Sequence, residues 1–403
     1  MHGTTTSTLY KEHVMDNFVF QNRTRIYFGK GAVAQHLPAQ IRRYGKRILL
    51  AYGGGSIKKN GIYDEVQGIL KAAGCEVFDF AGIMPNPTKA KVEEGAALVR
   101  QHKIDLILAV GGGSTMDCAK AVAIAAVYTG DWWSDLWLKP GAIDFEPVPV
   151  ATIVTMCGTG SEFDGGGVIT NEETKVKTGM IYPEISPDFS ILDPAYTLTV
   201  PLRQVRAGAF DTMSHLMEHY IAKPDEDNIS DDLCEALLRA QIRNFRAAMK
   251  DPQDWQARSN IMWISSIALC GLVSVGKRGD YDCHNLEHQV GAFTDCVHGE
   301  GLAVVHPPYY RHLLAHAPQR FARFATNVWG ISPDGKTEAQ LAQEGVQALA
   351  DFIKEVGLPT TMRELGVKDK EQLAEIAASV HTGPGTYHKV DAAEVAAIFE
   401  ECW

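Results

Sequence analysis

Asp211 and His215 stand four residues apart in the stretch Gly208-Ala209-Phe210-Asp211-Thr212-Met213-Ser214-His215-Leu216-Met217-Glu218-His219. Apolar Phe210, Met213, Leu216 and Met217 recur there at helical spacing, so an amphipathic helix is expected. On a helix, i and i+4 side chains share a face. A carboxylate and an imidazole so placed can fill two positions around a divalent metal. A second run can bring the rest: Cys283-His284-Asn285-Leu286-Glu287-His288, then Cys296-Val297-His298-Gly299-Glu300-Gly301. One Asp with three His suits Zn²⁺ or Fe²⁺ and is too rich in nitrogen for Ca²⁺ or Mg²⁺. Spacing alone leaves open which two of His284, His288 and His298 complete the set, and Cys283 or Cys296 would turn it toward structural zinc. Taken by itself, a D-x-x-x-H pair is more often a salt bridge or a detail of a helix end. His219, His306, His312 and His316 are read as structural or solvated. Catalysis needs three or four protein ligands and one open position for a substrate oxygen.

Two glycine loops carry a second kind of chemistry. Arg47-Ile48-Leu49-Leu50-Ala51-Tyr52 and Ile104–Val110 are apolar runs of the kind a buried parallel strand shows. The first opens into Gly53-Gly54-Gly55-Ser56, the second into Gly111-Gly112-Gly113-Ser114. Glycines let a backbone approach closely, and a helix start offers free N–H groups and a favourable dipole to an anion. A pyrophosphate at Gly112, Gly113 and Ser114 is the natural occupant; the plain alternative is a pair of tight turns. Neither loop is G-x-G-x-x-G, and no Asp or Glu follows Tyr52 to take a ribose hydroxyl. Small residues followed by Lys58 and Lys59 leave room and positive charge for a 2′-phosphate, which points to NADP over NAD.

These residues need elements to position them. Phe18–Phe20 and Arg25–Gly29 alternate like short strands, and a strand at the extreme N-terminus often ends at a sheet edge, where it can pair within the chain or with another copy. Thr88 is placed to cap a helix running to about His102, and Ser114 with Asp117 resembles a capping box. Trp132, Trp133 and Trp137 read as local core. Ala151–Thr155 is a further strand, opening into Cys157-Gly158-Thr159-Gly160-Ser161-Glu162, and Lys177 in its polar hairpin reads as solvated. After Tyr196 the pattern turns helical: 228–249, 255–271, 286–293, 341–356, 368–379 and 392–402. The expectation is a doubly wound parallel α/β domain over residues 1–194, an all-α metal-binding domain over 195–403, and a ligand cleft between them.

Bulk properties set limits. At 403 residues the chain can hold two cores. A net charge of −11 argues against nucleic acid or an anionic membrane as partner. Met1–His13 is polar and no apolar run spans a bilayer, so neither a signal peptide nor a membrane span is expected. The eight cysteines are scattered without C-x-x-C spacing, as suits a reducing cytoplasm.

Together these motifs resemble the iron-containing (group III) alcohol dehydrogenases, in particular the NAD(P)H-dependent butanol dehydrogenases and broad aldehyde reductases. The likeness runs from Thr24–Gly31 through Tyr52–Gly61, Gly111–Asp117 and Gly208–His215 to His284-x-x-x-His288 with Val297-His298-Gly299-x-Gly301-Leu302-Ala303. It implies a metal held by Asp211, His215, His284 and His298, with His288 relaying protons beside the nicotinamide. It implies cofactor contacts from Gly54, Ser56, Asn86, Gly112, Gly113, Ser114, Asp117, Thr155, Thr159 and Lys177, with His288 and Asp117 in catalysis, and a homodimer. Two departures stand out. Gly158-Thr159-Gly160-Ser161-Glu162 replaces an expected Ala-Thr-Gly-Ser-Glu, and Asp164 with Gly166 replaces common Asn residues, bringing negative charge near the cofactor.

The implied reaction is reversible hydride transfer between nicotinamide and an aldehyde or alcohol of short to medium chain, with the metal as Lewis acid. His288 suits the relay if its pKa lies near working pH. The competing readings are a metal-dependent phosphohydrolase, a lyase of the same fold, and a non-catalytic nucleotide sensor.

Overall fold

The computed structural model describes residues 16–403. Its strands are β1 (Arg25–Phe28), β2 (Arg47–Tyr52), β3 (Glu76–Phe80), β4 (Leu106–Gly111), β5 (Val150–Val154), β6 (Gly166–Asn171), β7 (Val176–Ile181) and β8 (Phe189–Leu192). Six form one parallel sheet in the order β1-β8-β5-β4-β2-β3, and β6 with β7 makes a separate antiparallel hairpin.

Successive side chains of a strand face opposite sides, and here both sides are covered. Ile48, Leu50, Leu106 and Leu108 point into a core with Leu37 and Val66, from helices Ala32–Ile41 and Ile62–Ala72. Leu49, Ala51, Ile107 and Ala109 point into another with Val92 and Val122, from helices Lys89–His102 and Gly113–Ala125. That is why the central strands are apolar runs without alternation. From β2 the chain steps outward to β3, whereas from β4 it steps the other way to β5. The helices that follow β2 and β4 lie on opposite faces, so the turns after Tyr52 and Val110 diverge around a crevice at the carboxyl edge.

The last strand ends at Leu192 and the first long helix begins at Leu202. From there helices pack around one large core, and none is long and apolar enough to cross a membrane among the described residues. The expected helices are present, the shortest of them longer than its pattern, at Asp282–Thr294. Helix His298–Leu313 is not among the expected elements; it carries Pro307 and Pro308 inside it, where proline ordinarily breaks a helix. Its buried Leu302, Val305, Tyr309 and Tyr310 hold it in the core.

Two local expectations change and two hold. Phe18–Phe20 forms no strand; its side chains are exposed and pair with no neighbour strand. Thr88 caps its helix through Lys91 N, but Ser114 and Asp117 form no capping box. Helix Gly113–Ala125 already contains Ser114, and Asp117 turns inward to other partners. Trp132, Trp133 and Trp137 are core, in edge-to-face contact.

Candidate active site

Helix Leu202–Tyr220 is buried on every side from Ala207 to Tyr220. A helix so enclosed must find partners for its polar side chains. Asp211, His215 and Glu218, at four- and three-residue steps, form one polar stripe along it. Around Asp211 Oδ1 lie His215 Nε2 at 3.6 Å, His298 Nε2 at 3.7 Å and His284 Nε2 at 3.8 Å. These separations are too long for hydrogen bonds. Asp211 Oδ1 and His284 Nε2 are buried with no hydrogen-bond partner among the described residues, which native interiors rarely tolerate. Donors on a tetrahedral ion with bonds of about 2.1 Å sit roughly 3.4 Å apart. The ligand atoms of Asp211, His284 and His298 all lie within 4.8 Å of one another, with His215 Nε2 on the same carboxylate oxygen, a donor set that suits a borderline cation such as Fe²⁺ or Zn²⁺.

The set comes from three helices, and Glu218 and Glu287 register them. Glu218 Oε1 accepts from Cys283 N at 2.9 Å, satisfying a free N–H at the start of helix Asp282–Thr294. Its other oxygen accepts from His284 Nδ1, leaving Nε2 aimed at Asp211. Glu287, fully buried, does the same for His298 through Nδ1. Two glycines permit the close packing. A Cβ on Gly208 would lie 2.0 Å from Cys157 O, and one on Gly299 would lie 2.0 Å from Ala207 O. The turn after β5 thus rests on the helix of Asp211, and Gly158 N is held by Ser265 Oγ at 2.9 Å.

Electrostatics follow from this arrangement. Burial works against the Asp211 carboxylate, but His215, His284 and His298 outweigh it and hold the pKa at about 2. Burial lowers His215 to about 3, leaving a neutral ring. Burial also opposes charge on His284, yet Glu218 and Asp211 prevail and raise it to about 10. A cation held there would take the place of that proton. Glu287, His288 and His298 also converge, but Glu287 is committed to His298 and Lys177 and offers no free oxygen of the kind Asp211 does.

The crevice residues divide into two groups. Gly54 and Ser56 are exposed beside the β2 turn, where Gly55 has φ +97°. Gly112 and Ser114 are half-buried beside the β4 turn. Thr155 N donates to Gly111 O at 2.9 Å, and a Cβ on Gly113 would strike Thr159 at 2.4 Å, so the turns after β4 and β5 lie side by side. Others are engaged elsewhere. Asp117 accepts from Ser161 Oγ at 2.6 Å and Val168 N at 2.9 Å, and burial pushes it up to about 6. With one bond on each oxygen it braces the β5 turn and the hairpin. Asn86 donates to Asp295 Oδ1 at 2.8 Å across the cleft. Lys177 is buried, not solvated, and reaches Glu287 at 3.1 Å. Asp164 brings no free charge to the crevice, since fully buried Lys120 donates to it at 2.7 Å.

Among the histidines, His288 has an unpartnered Nε2, and burial followed by the charge of Lys177 holds it well below the ordinary imidazole range. It is neutral at working pH, contrary to the expectation of a pKa near it. His306 is structural, between Ser214 at 2.7 Å and Cys283 at 3.3 Å. Burial pushes the Cys283 and Cys296 thiols up, and neither joins the donor set. Sequence reasoning missed Glu218 and Glu287. Their signal is a repeat, His215-x-x-Glu218 and His284-x-x-Glu287, a carboxylate one turn beyond each ligand.

The family model for iron-containing alcohol dehydrogenases matches residues 23–194, and that for the C-terminal part of the Fe-containing alcohol dehydrogenase family matches 205–403. The chain belongs to the iron-containing alcohol dehydrogenase family. It is 38% identical to NADH-dependent butanol dehydrogenase A of Clostridium acetobutylicum, over 96% of this chain and 100% of that protein. It is 36% identical to the NADPH-dependent aldehyde reductase YqhD of Escherichia coli, over 88% of this chain and 90% of that one. The crystal structure of NADH-dependent butanol dehydrogenase A from Thermotoga maritima superposes with a TM-score of 0.90 at 34% identity, covering 96% of this chain and 99% of the other. This member of the family is an oxidoreductase of the alcohol dehydrogenase and aldehyde reductase type. The phosphohydrolase, lyase and sensor readings fall away.

Proposed function

We propose that this alcohol dehydrogenase reduces short- to medium-chain aldehydes with NADPH, and oxidises the corresponding alcohols in reverse, at a site where Asp211, His215, His284 and His298 hold one divalent cation. The observation that carries the reading is the unpaired cluster around Asp211 Oδ1, set beside the glycine turns of the sheet edge. When bound, the cation supplies a Lewis acid for the carbonyl oxygen and the nicotinamide supplies the hydride.

The chain's own residues do the rest. Glu218 and Glu287 fix the ring orientation of His284 and His298. Gly112, Gly113 and Ser114, at a helix start, suit a pyrophosphate, and Thr155 and Thr159 border the same turn. His288 is the proposed proton relay: its ring lies 5.8 Å from that of His298 and its Nε2 is free. Because it stays neutral, it passes a proton on rather than storing one. The NADPH preference rests on the open turn at Gly54 and on Lys58, exposed over the rings of Tyr52 and Tyr63 at 5.0 and 4.5 Å. Fe²⁺ and Zn²⁺ both suit the donor set.

The enzyme is proposed to work as a homodimer in the cytoplasm. Among the described residues no strand pairs with the outer side of β1. Near it Phe20, Phe28, Trp263 and Leu272 are exposed apolar groups, with Phe28 and Trp263 in edge contact at 6.1 Å. All eight cysteines are unpaired, which favours a reducing compartment.

The test is one assay. Purified protein of measured metal content is offered NADPH or NADH with aldehydes from ethanal to octanal, and the nicotinamide absorbance is followed. Metal-dependent oxidation of NADPH supports the proposal; absence of turnover with bound metal and both cofactors overturns it.

A further inference from the structure

His312, His388 and Glu394 converge from three separate elements: the end of helix His298–Leu313, the loop before the last helix, and the first turn of helix Ala392–Glu401. Both imidazoles aim Nε2 at the same oxygen, Glu394 Oε1, at 3.0 Å from His312 and 2.7 Å from His388. The three ligand atoms lie within 4.8 Å of one another. Each side chain is about three-quarters covered, with exposures of 26–27%, so the donors are held yet reachable from solvent.

The arrangement is built. Glu394 Oε2 is occupied by Asp391 N at 2.7 Å in a capping box, which fixes the carboxylate and leaves Oε1 to face the rings. His316, one turn beyond His312, stacks flat on His388 with centroids 4.1 Å apart and planes 6° apart, fixing that ring. Thr382 Oγ1 closes the loop onto Val390 O at 2.9 Å. At Gly385, with φ +64°, a Cβ would strike His388 O at 2.1 Å, so the loop curls tightly onto its histidine. Two imidazole nitrogens and a carboxylate oxygen are a borderline donor set.

We propose that His312, His388 and Glu394 form a second, peripheral cation site, selective for zinc-type transition metals over Ca²⁺ and Mg²⁺. Three protein donors leave a position for water. A cation there ties the loop of His388 to the helix that begins with His298. The same loop touches the start of the His284 helix through Gly383 N on Asp282.

Tag-free protein is stripped with chelator and equilibrated with Zn²⁺ buffered in the micromolar range. Wild type should hold two ions per chain. His388→Ala and His312→Ala should each hold one and keep aldehyde reduction, whereas His284→Ala should keep the peripheral ion. Glu394→Gln retains a capping residue and should also lose one ion. Zn²⁺ should raise the melting temperature of His284→Ala but not of His284→Ala/His388→Ala. No ion in His284→Ala, or the same ion count in His388→Ala as in wild type, overturns the proposal. Neither result depends on turnover, so they separate from failure of the catalytic reading.

Discussion

Glu218 and Glu287 decide which nitrogen of His284 and His298 faces Asp211 Oδ1. Removing a ligand should be most severe: His284→Ala and His298→Ala should lose both bound metal and aldehyde reduction, read by metal analysis and by rate. Glu287→Gln should keep the fold but weaken metal binding about 10- to 100-fold, measured by competition with a chelating dye. It also leaves Lys177 buried beside a neutral amide. Adding Lys177→Met should therefore recover stability without recovering affinity. At the other end of the crevice, Lys58→Ala should raise the KM for NADPH about tenfold, the cost of about 1.4 kcal/mol in a lost phosphate contact. The KM for NADH should hardly move; equal effects on the two cofactors would remove Lys58 from 2′-phosphate recognition.

Helices and turns bring these residues together only because certain backbones touch. Gly299 starts the His298 helix directly against Ala207 O. Gly299→Ala should destabilise by about 1–3 kcal/mol through overpacking and should also lower metal affinity, since His298 shifts with its helix. Gly68 offers the contrast: it lies within helix Ile62–Ala72 with nothing within 4 Å of an added Cβ. Gly68→Ala should stabilise by about 0.5–1 kcal/mol and leave metal affinity alone. Urea midpoints and metal titrations on the two variants separate a glycine that permits an approach from one that only loosens a helix. The same contrast explains what was legible. Strand and helix periods, the Thr88 cap and the glycine turns are local signals. The His298–Leu313 helix was hidden, because its prolines are tolerated by packing that no local pattern records.

Across the whole molecule, burial of a neutral histidine makes stability depend on pH. His219 is buried against Tyr281, whose hydroxyl lies 2.9 Å from Nε2. Burial first, then the charges of His284 and Lys277, lower its pKa from 6.5 to about 4. The unfolded chain takes up a proton below about pH 6.5, while the folded one stays neutral to about pH 4. His219 therefore contributes stability fully above that window and loses it as pH falls, by up to about 1.4 kcal/mol per unit. His219→Gln should flatten the urea midpoint against pH between 6.5 and 4 relative to wild type. Parallel curves for the two proteins would show that the ring titrates normally in the fold.

By itself the sequence determined what depends on short-range order: parallel strands from their apolar runs, turns from their glycines, and helices from their period. It also offered Asp211 and His215 on one helix face and His284, His288 and His298 in one later run, while the choice of His284 and His298 among the three came from the family resemblance. Only the tertiary structure decided which residues stand free and which are occupied. Asp117 and Lys177 are polar residues that any crevice could use, yet the fold gives their atoms to Ser161, Val168 and Glu287. Glu218 and Glu287 acquire their roles the same way, from partners 66 and 11 residues away. A carboxylate's partner is set by which helices pack together, and that is a property of the whole core.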